Sequence, residues 1–567
     1  MAASVDAVGN PSMVNGLWNR QINRYPDAAA RYAYLGIVVA ATITLYYQLY
    51  VNGAVAPSIL HFFDISFNYY VLILVFGNAL GAVASLVAGL ADRWGRANLV
   101  AYGLFVTGAL TLWALPNATS GFEYGVFYAI VSIVEGMLLV ATPALIRDYS
   151  PQIGRASAMG FWTLGPVVGS LIVTEVASHT FTPPDWQHQY RICGVVALIV
   201  WAITFVGLRE LSPKLRDQVM VSLRDRALIE AKARDLDVEQ VLAHHWKSVA
   251  RPNVIGSAFG VSLYLIIYYT AVAFAVIYLT TVFGFTQGRS NDLLNWWWGT
   301  EAVALVVVGL LSDRLLVRKP LMFVGGLGSV AMTLVLISVT GHSDTSFNTL
   351  AIVVAFIGFF SALSYAPWMA AFTETVEGLN PAAIATGLAI WGLIIRSVVS
   401  VSFLVIPHVI SSVTPIVNHG AEVQAAVAQT PPRILQTVQA HQALFAQLAP
   451  YSTTNPPPAP LLAQAFQELG GPAQALATLT EVQKYKTQLA VLTAYGADVQ
   501  AAQNNAASEW QRWFWICLGG QVVFIPLTFV LVGRWSPRKA REDEEKHERA
   551  VNAEMATMGL KGTEAPA

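Results

Sequence analysis

The sequence predicts an all-α membrane protein: twelve transmembrane helices in two pseudo-symmetric six-helix halves, with a small helical insert ahead of the last helix. Three observations carry this expectation. The 567-residue chain is 55% hydrophobic and 12% charged, with a mean hydropathy of +0.52, more apolar surface than a soluble core of that length can bury. Apolar runs of roughly twenty residues, enough to cross about 30 Å of hydrocarbon, recur along the chain. Short motifs also repeat at matching places in its two halves.

The runs begin near Leu35, Tyr69, Leu99, Tyr124, Ala158, Cys193, Ile255, Leu293, Leu321, Leu350, Ala382 and Trp513. Residues 1–30 are polar and lack the charged start, apolar core and small-residue cleavage site of a removable signal, so the first run is expected to target the membrane itself. An even number of spans puts both termini on one side. Alternate loops carry Arg93 and Arg96, then Arg147 and Arg155, then the charged stretch from Arg209 to Arg251, then Arg314, Arg318 and Lys319; the loops between them offer little beyond Arg191 and Arg289. Basic loops stay in the cytoplasm, so both termini are expected there, in a multi-pass protein of the cell membrane.

On this topology residues 1–30 are a cytoplasmic segment and 31–209 the N-terminal half. Residues 210–252 form a cytoplasmic linker, 253–411 spans 7–11, 412–509 an extracytoplasmic insert, 510–535 span 12 and 536–567 a solvated cytoplasmic tail. The insert is rich in Ala and Gln, poor in charge, and punctuated by Pro431-Pro432 and Pro456-Pro457-Pro458. Runs such as PLLAQAFQEL favour short helices over disorder.

Several function classes are disfavoured. A net charge of −1 gives no case for a nucleic-acid partner. Cys193 and Cys517 fall inside apolar runs, so no disulfide framework is expected. His244 and His245 lack metal-ligand spacing, and no Gly-Lys-Ser/Thr loop is present to cradle a nucleotide. Neither a metal, a cofactor nor an enzymatic activity is expected, and a monomer is favoured.

AGLADR at Ala88–Arg93 matches GLLSDR at Gly309–Arg314, each ending the second span of its half, and ASAMGFW at Ala156–Trp162 matches ATGLAIW at Ala385–Trp391. Two repeated halves joined by a cytoplasmic linker describe a transporter with its site between the halves at the bilayer midplane. ADRWGR, Ala91–Arg96, is similar to the signature of the major facilitator superfamily between spans 2 and 3: a small residue, Asp-Arg, one residue, Gly-Arg. Ala88 replaces the family's leading Gly, and the second copy has Leu316 and Val317 in place of Gly and Arg. The resemblance implies the twelve-helix major facilitator fold, transport by alternating access, and a charged latch on the cytoplasmic side. Asp92, Arg93, Gly95 and Arg96 would form its first copy, Asp313 and Arg314 its second. GPVVGS, Gly165–Ser170, is similar to part of the motif of drug–proton antiporters in the superfamily, but Phe161 and Ser132 stand where those proteins have Gly and Arg. An efflux pump is therefore the alternative.

Three ionisable residues fall mid-span: Glu135 in span 4, Glu301 in span 8 and Arg396 in span 11. An unpaired charge there costs at least about 2.5–3.5 kcal/mol on insertion scales, so all three are expected to face the interior and find partners. One reading is a structural ion pair. The other is functional: a carboxyl in a low-dielectric cavity holds its proton more tightly and a nearby cation loosens it, so Glu301, with Glu135, would carry protons. Arg396 would anchor an anionic solute through its fork of donors. Tyr46, Gln48, Asn52, Tyr268, Tyr365 and Trp391 would complete the cavity. Trp296–Trp298 are read as an interfacial belt. Gly77, Gly81, Ser85 and Gly89, four apart, form a packing face. The expected partners are protons, a small-molecule solute and the lipid bilayer. A sensor or scaffold that binds an envelope protein through 412–509 is the competing function from another class.

Overall fold

The computed structural model describes residues 20–87, 95–149, 164–182, 185–212, 215, 249–380, 384–448, 450–451, 456–531 and 533–557. Asp92 and Arg93 of the expected latch lie outside these residues, as does most of the linker.

The N-terminal half opens with a two-residue strand β1 (Gln21–Ile22), then α1 (Ala28–Ala54), the short α2 (Ala56–Phe63), α3 (Phe67–Val87), α4 (Arg96–Ala109, continued by one wide and one tight turn to Asn117), α5 (Gly121–Tyr149), α6 (Gly165–Thr180), α7 (Trp186–Gly207) and β2 (Glu210–Leu211). The C-terminal half holds α8 (Pro252–Tyr264), α9 (Ile266–Phe283), α10 (Gln287–Leu315), α11 (Lys319–Thr340), α12 (Phe347–Leu379) and α13 (Ile384–Val409).

Among the described residues ten helical stretches are long and apolar enough to cross a membrane: α1, α3, α4, α5, α7, α8 with α9, α10, α11, α12 and α13. The two other expected spans are also helical. α6 is 16 residues long, and the last span sits in α20 (Ala497–Leu527). The helices outrun the apolar runs that mark them: α20 starts at Ala497, well before Trp513, because backbone hydrogen bonding does not stop where hydropathy does.

The two ends of the bundle are called here proximal, where α1 begins, and distal, where it ends. Within the N-terminal half, Val38 and Leu45 of α1 pack with Val100 and Leu104 of α4 and Leu138 and Leu145 of α5. Gly77 and Gly81 of the small-residue stripe bring helices together, while Gly89 lies outside the described residues. A Cβ on Gly81 would meet the Ser132 carbonyl oxygen at 2.8 Å, so α3 and α5 approach backbone to backbone there. Ile199, Ile203 and Val206 of α7 are more than half exposed, an apolar stripe that suits lipid rather than water.

Residues 410–509 form a separate compact unit: α14 (Val413–Gln429), α15 (Pro432–Ala440), α16 (Gln442–Leu448), α17 (Ala459–Glu468), α18 (Pro472–Lys484), α19 (Lys486–Val491), a wide turn (Leu492–Gly496) and the start of α20. Leu444, Ala465, Leu469 and Ala475 make its small core. The Glu509 carboxylate fastens its ends, accepting from the Ser411 and Ser412 backbone N–H groups, both at 2.9 Å, and from the Ser411 hydroxyl at 2.8 Å. His419 stacks on Tyr495 at 3.7 Å. A polar helix, α21 (Pro537–Thr557), follows the last span.

Candidate functional site between the halves

Arg396 sits near the middle of α13 and is partly exposed. Its guanidinium is in electrostatic reach of the Tyr46 hydroxyl on α1 and the Tyr269 hydroxyl on α9, one phenol from each half. Tyr46 packs against Tyr50 one helical turn on, ring centroids 5.5 Å apart, and Tyr50 faces Tyr268. On the other side Trp391, 6.4 Å from Tyr365 and 5.5 Å from Trp368, contributes an indole. Asn78 of α3 is committed nearby, donating to the Ser400 hydroxyl at 2.9 Å and the Arg396 carbonyl at 3.5 Å. Around this cluster the buried Trp391 indole nitrogen has no hydrogen-bond partner, and the Tyr268 hydroxyl lies in reach of the Tyr50 and Ser170 hydroxyls. Of the expected substrate residues, the structure thus gathers Arg396, Tyr46, Tyr268, Tyr365 and Trp391, and adds Tyr50 and Tyr269.

Gln48 and Asn52 are elsewhere. The Gln48 amide oxygen accepts from Thr107 at 3.0 Å inside the N-terminal half, and Asn52, also buried, lies in reach of Tyr128. Their helix turns them away from Tyr46 and Tyr50, since neighbours in sequence point in different directions.

Glu301 lies at the centre of α10 and is 2% exposed; it accepts a hydrogen bond from the Trp297 indole at 2.9 Å. Gly358 of α12 permits this, because a Cβ there would stand 2.6 Å from the Trp297 carbonyl and 3.3 Å from the Glu301 Cβ. Tyr268 and Tyr365 are both in electrostatic reach of Glu301, and Tyr365 also reaches Tyr46 and Tyr269. Phenols thus stand between the acid and the guanidinium. Among the described residues neither Glu301 nor Glu135 pairs with Arg396. Glu135 is fully buried in α5 with both oxygens unbonded, and reaches Tyr128 and Cys193. Of the three mid-span groups, expected to face the interior and find partners, Glu301 has a side-chain hydrogen bond, Arg396 has two phenols in electrostatic reach and neither Glu135 oxygen has a hydrogen bond. The belt reading of the three tryptophans fits Trp296, 56% exposed; Trp297 and Trp298 are buried, Trp298 against Tyr268 at 5.4 Å.

Towards the distal face the halves are locked together. Gln287, Asn291 and Asn295 recur every fourth residue on one face of α10. Gln287 donates to the Ser58 hydroxyl at 2.6 Å, Asn291 to the Ala54 carbonyl at 3.0 Å, and Asn295 to Glu175 at 2.7 Å and Ser178 at 3.3 Å. Sequence reasoning missed this ladder. Its signal is three amides at i, i+4 and i+8 in a helix that must cross lipid, a spacing that puts them on one stripe.

At the proximal face each half carries its own ionic cluster. Arg96 and Asp148 form a buried ion pair at 2.7 Å. The Glu210 carboxylate caps α4, accepting from the backbone N–H of Arg96 at 2.6 Å and of Ala97 at 3.3 Å, where the helix dipole favours an anion. β1 holds β2 in place by parallel pairing of Gln21 with Glu210. Gly95 is needed twice over: its φ is +88°, and a Cβ would lie 2.6 Å from the Glu210 Oε1. In the second half, Leu316 takes the place of that glycine at φ +55°. Arg318 binds Asp313 at 2.8 Å and Glu374 at 3.0 Å. Burial alone would lower the Arg318 pKa, but Glu374 and then Asp313 outweigh it and raise it. Arg314 is exposed, without a described partner; Arg318 supplies the cation of this cluster.

Comparison with known proteins agrees with this architecture. The profile of the Major Facilitator Superfamily matches residues 38–404. The galacturonate transporter of Dickeya chrysanthemi is 25% identical over 205 residues, 35% of this chain and 56% of that protein. The hexuronate transporter of Escherichia coli (strain K12) is 23% identical over 232 residues, 40% of this chain and 50% of that protein. The chain thus spans about half the length of these curated relatives. A crystal structure of a bacterial homologue of the human lysosomal transporter Spinster, inward-facing and unoccupied, superimposes with a TM-score of 0.55 at 16% identity, covering 90% of this chain and 100% of that one.

Proposed function

Because the chain belongs to the major facilitator superfamily, we propose that it is a secondary transporter that moves a small organic anion by alternating access, coupled to protons. The observation that carries this reading is Arg396. A guanidinium at mid-span is costly, yet among the described residues no carboxylate neutralises it, while phenols from both halves surround it. A ligand carboxylate would supply the missing charge, and would be gripped by both halves at once, as a carrier requires. The sugar-acid carriers among its relatives support an anionic cargo.

Glu301 is assigned the coupling proton. It is buried, accepts from the Trp297 indole with the Ser361 hydroxyl also in reach, and is linked toward Arg396 through Tyr365 and Tyr268. Binding an anion at Arg396 changes the field at Glu301, so solute and proton move as a pair. Glu135, enclosed in the N-terminal half, is a second proton site. The amide ladder of α10 is the distal gate. The clusters around Arg96 and Arg318 are proximal latches whose bonds are remade as the halves rock. The positive-inside pattern puts both termini in the cytoplasm of a cell-membrane protein. The insert then stands outside, available to an envelope partner.

The test is solute counterflow in proteoliposomes with and without a pH gradient. Arg396→Gln should abolish exchange of an organic acid. Glu301→Gln should keep exchange but lose accumulation driven by the pH gradient. Transport confined to neutral or cationic solutes refutes the role of Arg396, and full proton-driven accumulation by Glu301→Gln refutes that of Glu301.

A further inference from the structure

The side chains around Arg396 narrow the cargo further, given the reading of the chain as an anion carrier. We infer that the site is built for an aromatic monocarboxylate, and not for a sugar acid, a dicarboxylate or a phosphate ester.

The first argument is charge. Arg396 is a single cation: α9, α12 and α13 hold no other Arg or Lys, and α1 holds only Arg31, near its start. One guanidinium matches one carboxylate. A second negative charge on the solute would be desolvated at mid-membrane with nothing to neutralise it.

The second argument is hydrogen-bonding capacity. A pyranose acid brings several hydroxyls, and each one left unbonded weakens binding roughly tenfold. Sites for such solutes need amides and carboxylates that bond neighbouring hydroxyls in pairs. Here those groups are already engaged: Asn78 by Ser400 and the Arg396 carbonyl, Glu301 by Trp297, Gln48 by Thr107. What remains is a few single donors, the Trp391 indole N–H and the Tyr268 and Ser170 hydroxyls, which lie in reach of one another, enough for a carboxylate and one substituent.

The third argument is shape. Tyr46 and Tyr50 from one half, ring centroids 5.5 Å apart, and Tyr365 and Trp391 from the other, 6.4 Å apart, make two aromatic pairs, with Tyr46 in electrostatic reach of the guanidinium and Trp391 on the same helix as Arg396. Flat rings reward a flat apolar body through stacking, at a low entropy cost because each has few rotatable bonds. A planar acid stacks on such rings, whereas a puckered polyol makes poorer contact with them.

The experiment is isothermal titration of the full-length purified protein at neutral pH with benzoate, benzamide, galacturonate, phthalate and glucose 6-phosphate. Benzoate should bind best, with the other four at least about tenfold weaker. Trp391→Leu should weaken benzoate by about 2- to 12-fold, the worth of one aromatic pair. Arg396→Gln should lower benzoate to the level of benzamide, and Arg396→Lys, which keeps the charge, should bind between wild type and Arg396→Gln. Thermal melting of each variant separates lost binding from lost fold. Tighter binding of galacturonate, phthalate or glucose 6-phosphate than of benzoate, still dependent on Arg396, overturns the substrate class and leaves the anion carrier standing. Equal binding of benzoate and benzamide, or binding of none of the five, overturns both.

Discussion

Replacing Asn291 by Ala removes the most buried rung of the distal lock. Asn291 has no exposed surface, and its amide donates across the gate to the Ala54 carbonyl at 3.0 Å. In the variant that carbonyl stays buried without a donor as long as the gate is closed, at a cost of about 1–3 kcal/mol. With the gate open, water bonds it and the penalty vanishes, so the whole effect falls on the closed state. The Asn291 Oδ1, already buried without a partner, disappears at the same time and offsets part of the loss. A net cost of about 1–2 kcal/mol is expected, which shifts the closed-to-open ratio by a factor of about 5–30. Spin labels at Phe62 and Asp344, exposed positions in the distal connections of the two halves, report the gate by pulsed electron–electron distance measurement. A longer-distance population should grow in Asn291→Ala, and in Asn295→Ala to a smaller extent because its rung is more exposed. An unchanged distribution, or a shift to shorter distances, would refute the ladder as the lock.

Three further outcomes follow from local geometry. Leu316→Gly should raise thermal stability by about 1 kcal/mol, because a left-handed backbone costs a branched residue roughly that amount; a lower melting temperature would contradict it. Gly95→Ala should destabilise by about 1–3 kcal/mol through backbone strain, with added crowding of the Glu210 carboxylate; chemical denaturation of detergent-solubilised protein reads this out. Glu509→Gln leaves the ends of the insert held by weaker neutral bonds, so the amides of Ser411 and Ser412 should exchange hydrogen faster, while exchange around Leu444 and Ala465 stays as it was.

The spans were legible because burial in lipid demands apolar residues in every turn, a signal confined to some twenty neighbouring residues. The helical character of the insert could be read from its local composition in the same way. Gly95 stood out in its motif, but the reason for it did not: Glu210, which fills the space beside it, is 115 positions away, one more than the 114 that separate Glu210 from Arg96. Side-chain direction was the weak point. In an apolar helix the pattern cannot say which face meets lipid and which meets a neighbour, and so Trp297 and Trp298 were placed with Trp296, and Gln48 and Asn52 with Tyr46.

The sequence by itself determined the membrane fold, the twofold repeat and the three midplane charges, because hydropathy and motif recurrence are properties of short stretches of chain. Only the tertiary structure decided what those charges face. Glu301 meets an indole four residues away, Glu135 meets no donor, and Arg396 meets Tyr46 and Tyr269 on two other helices. The Asn291–Ala54 bond between the halves joins residues 237 positions apart. Which helix rotates which side chain into the cavity depends on packing summed over the whole bundle, and no local window of sequence contains that sum.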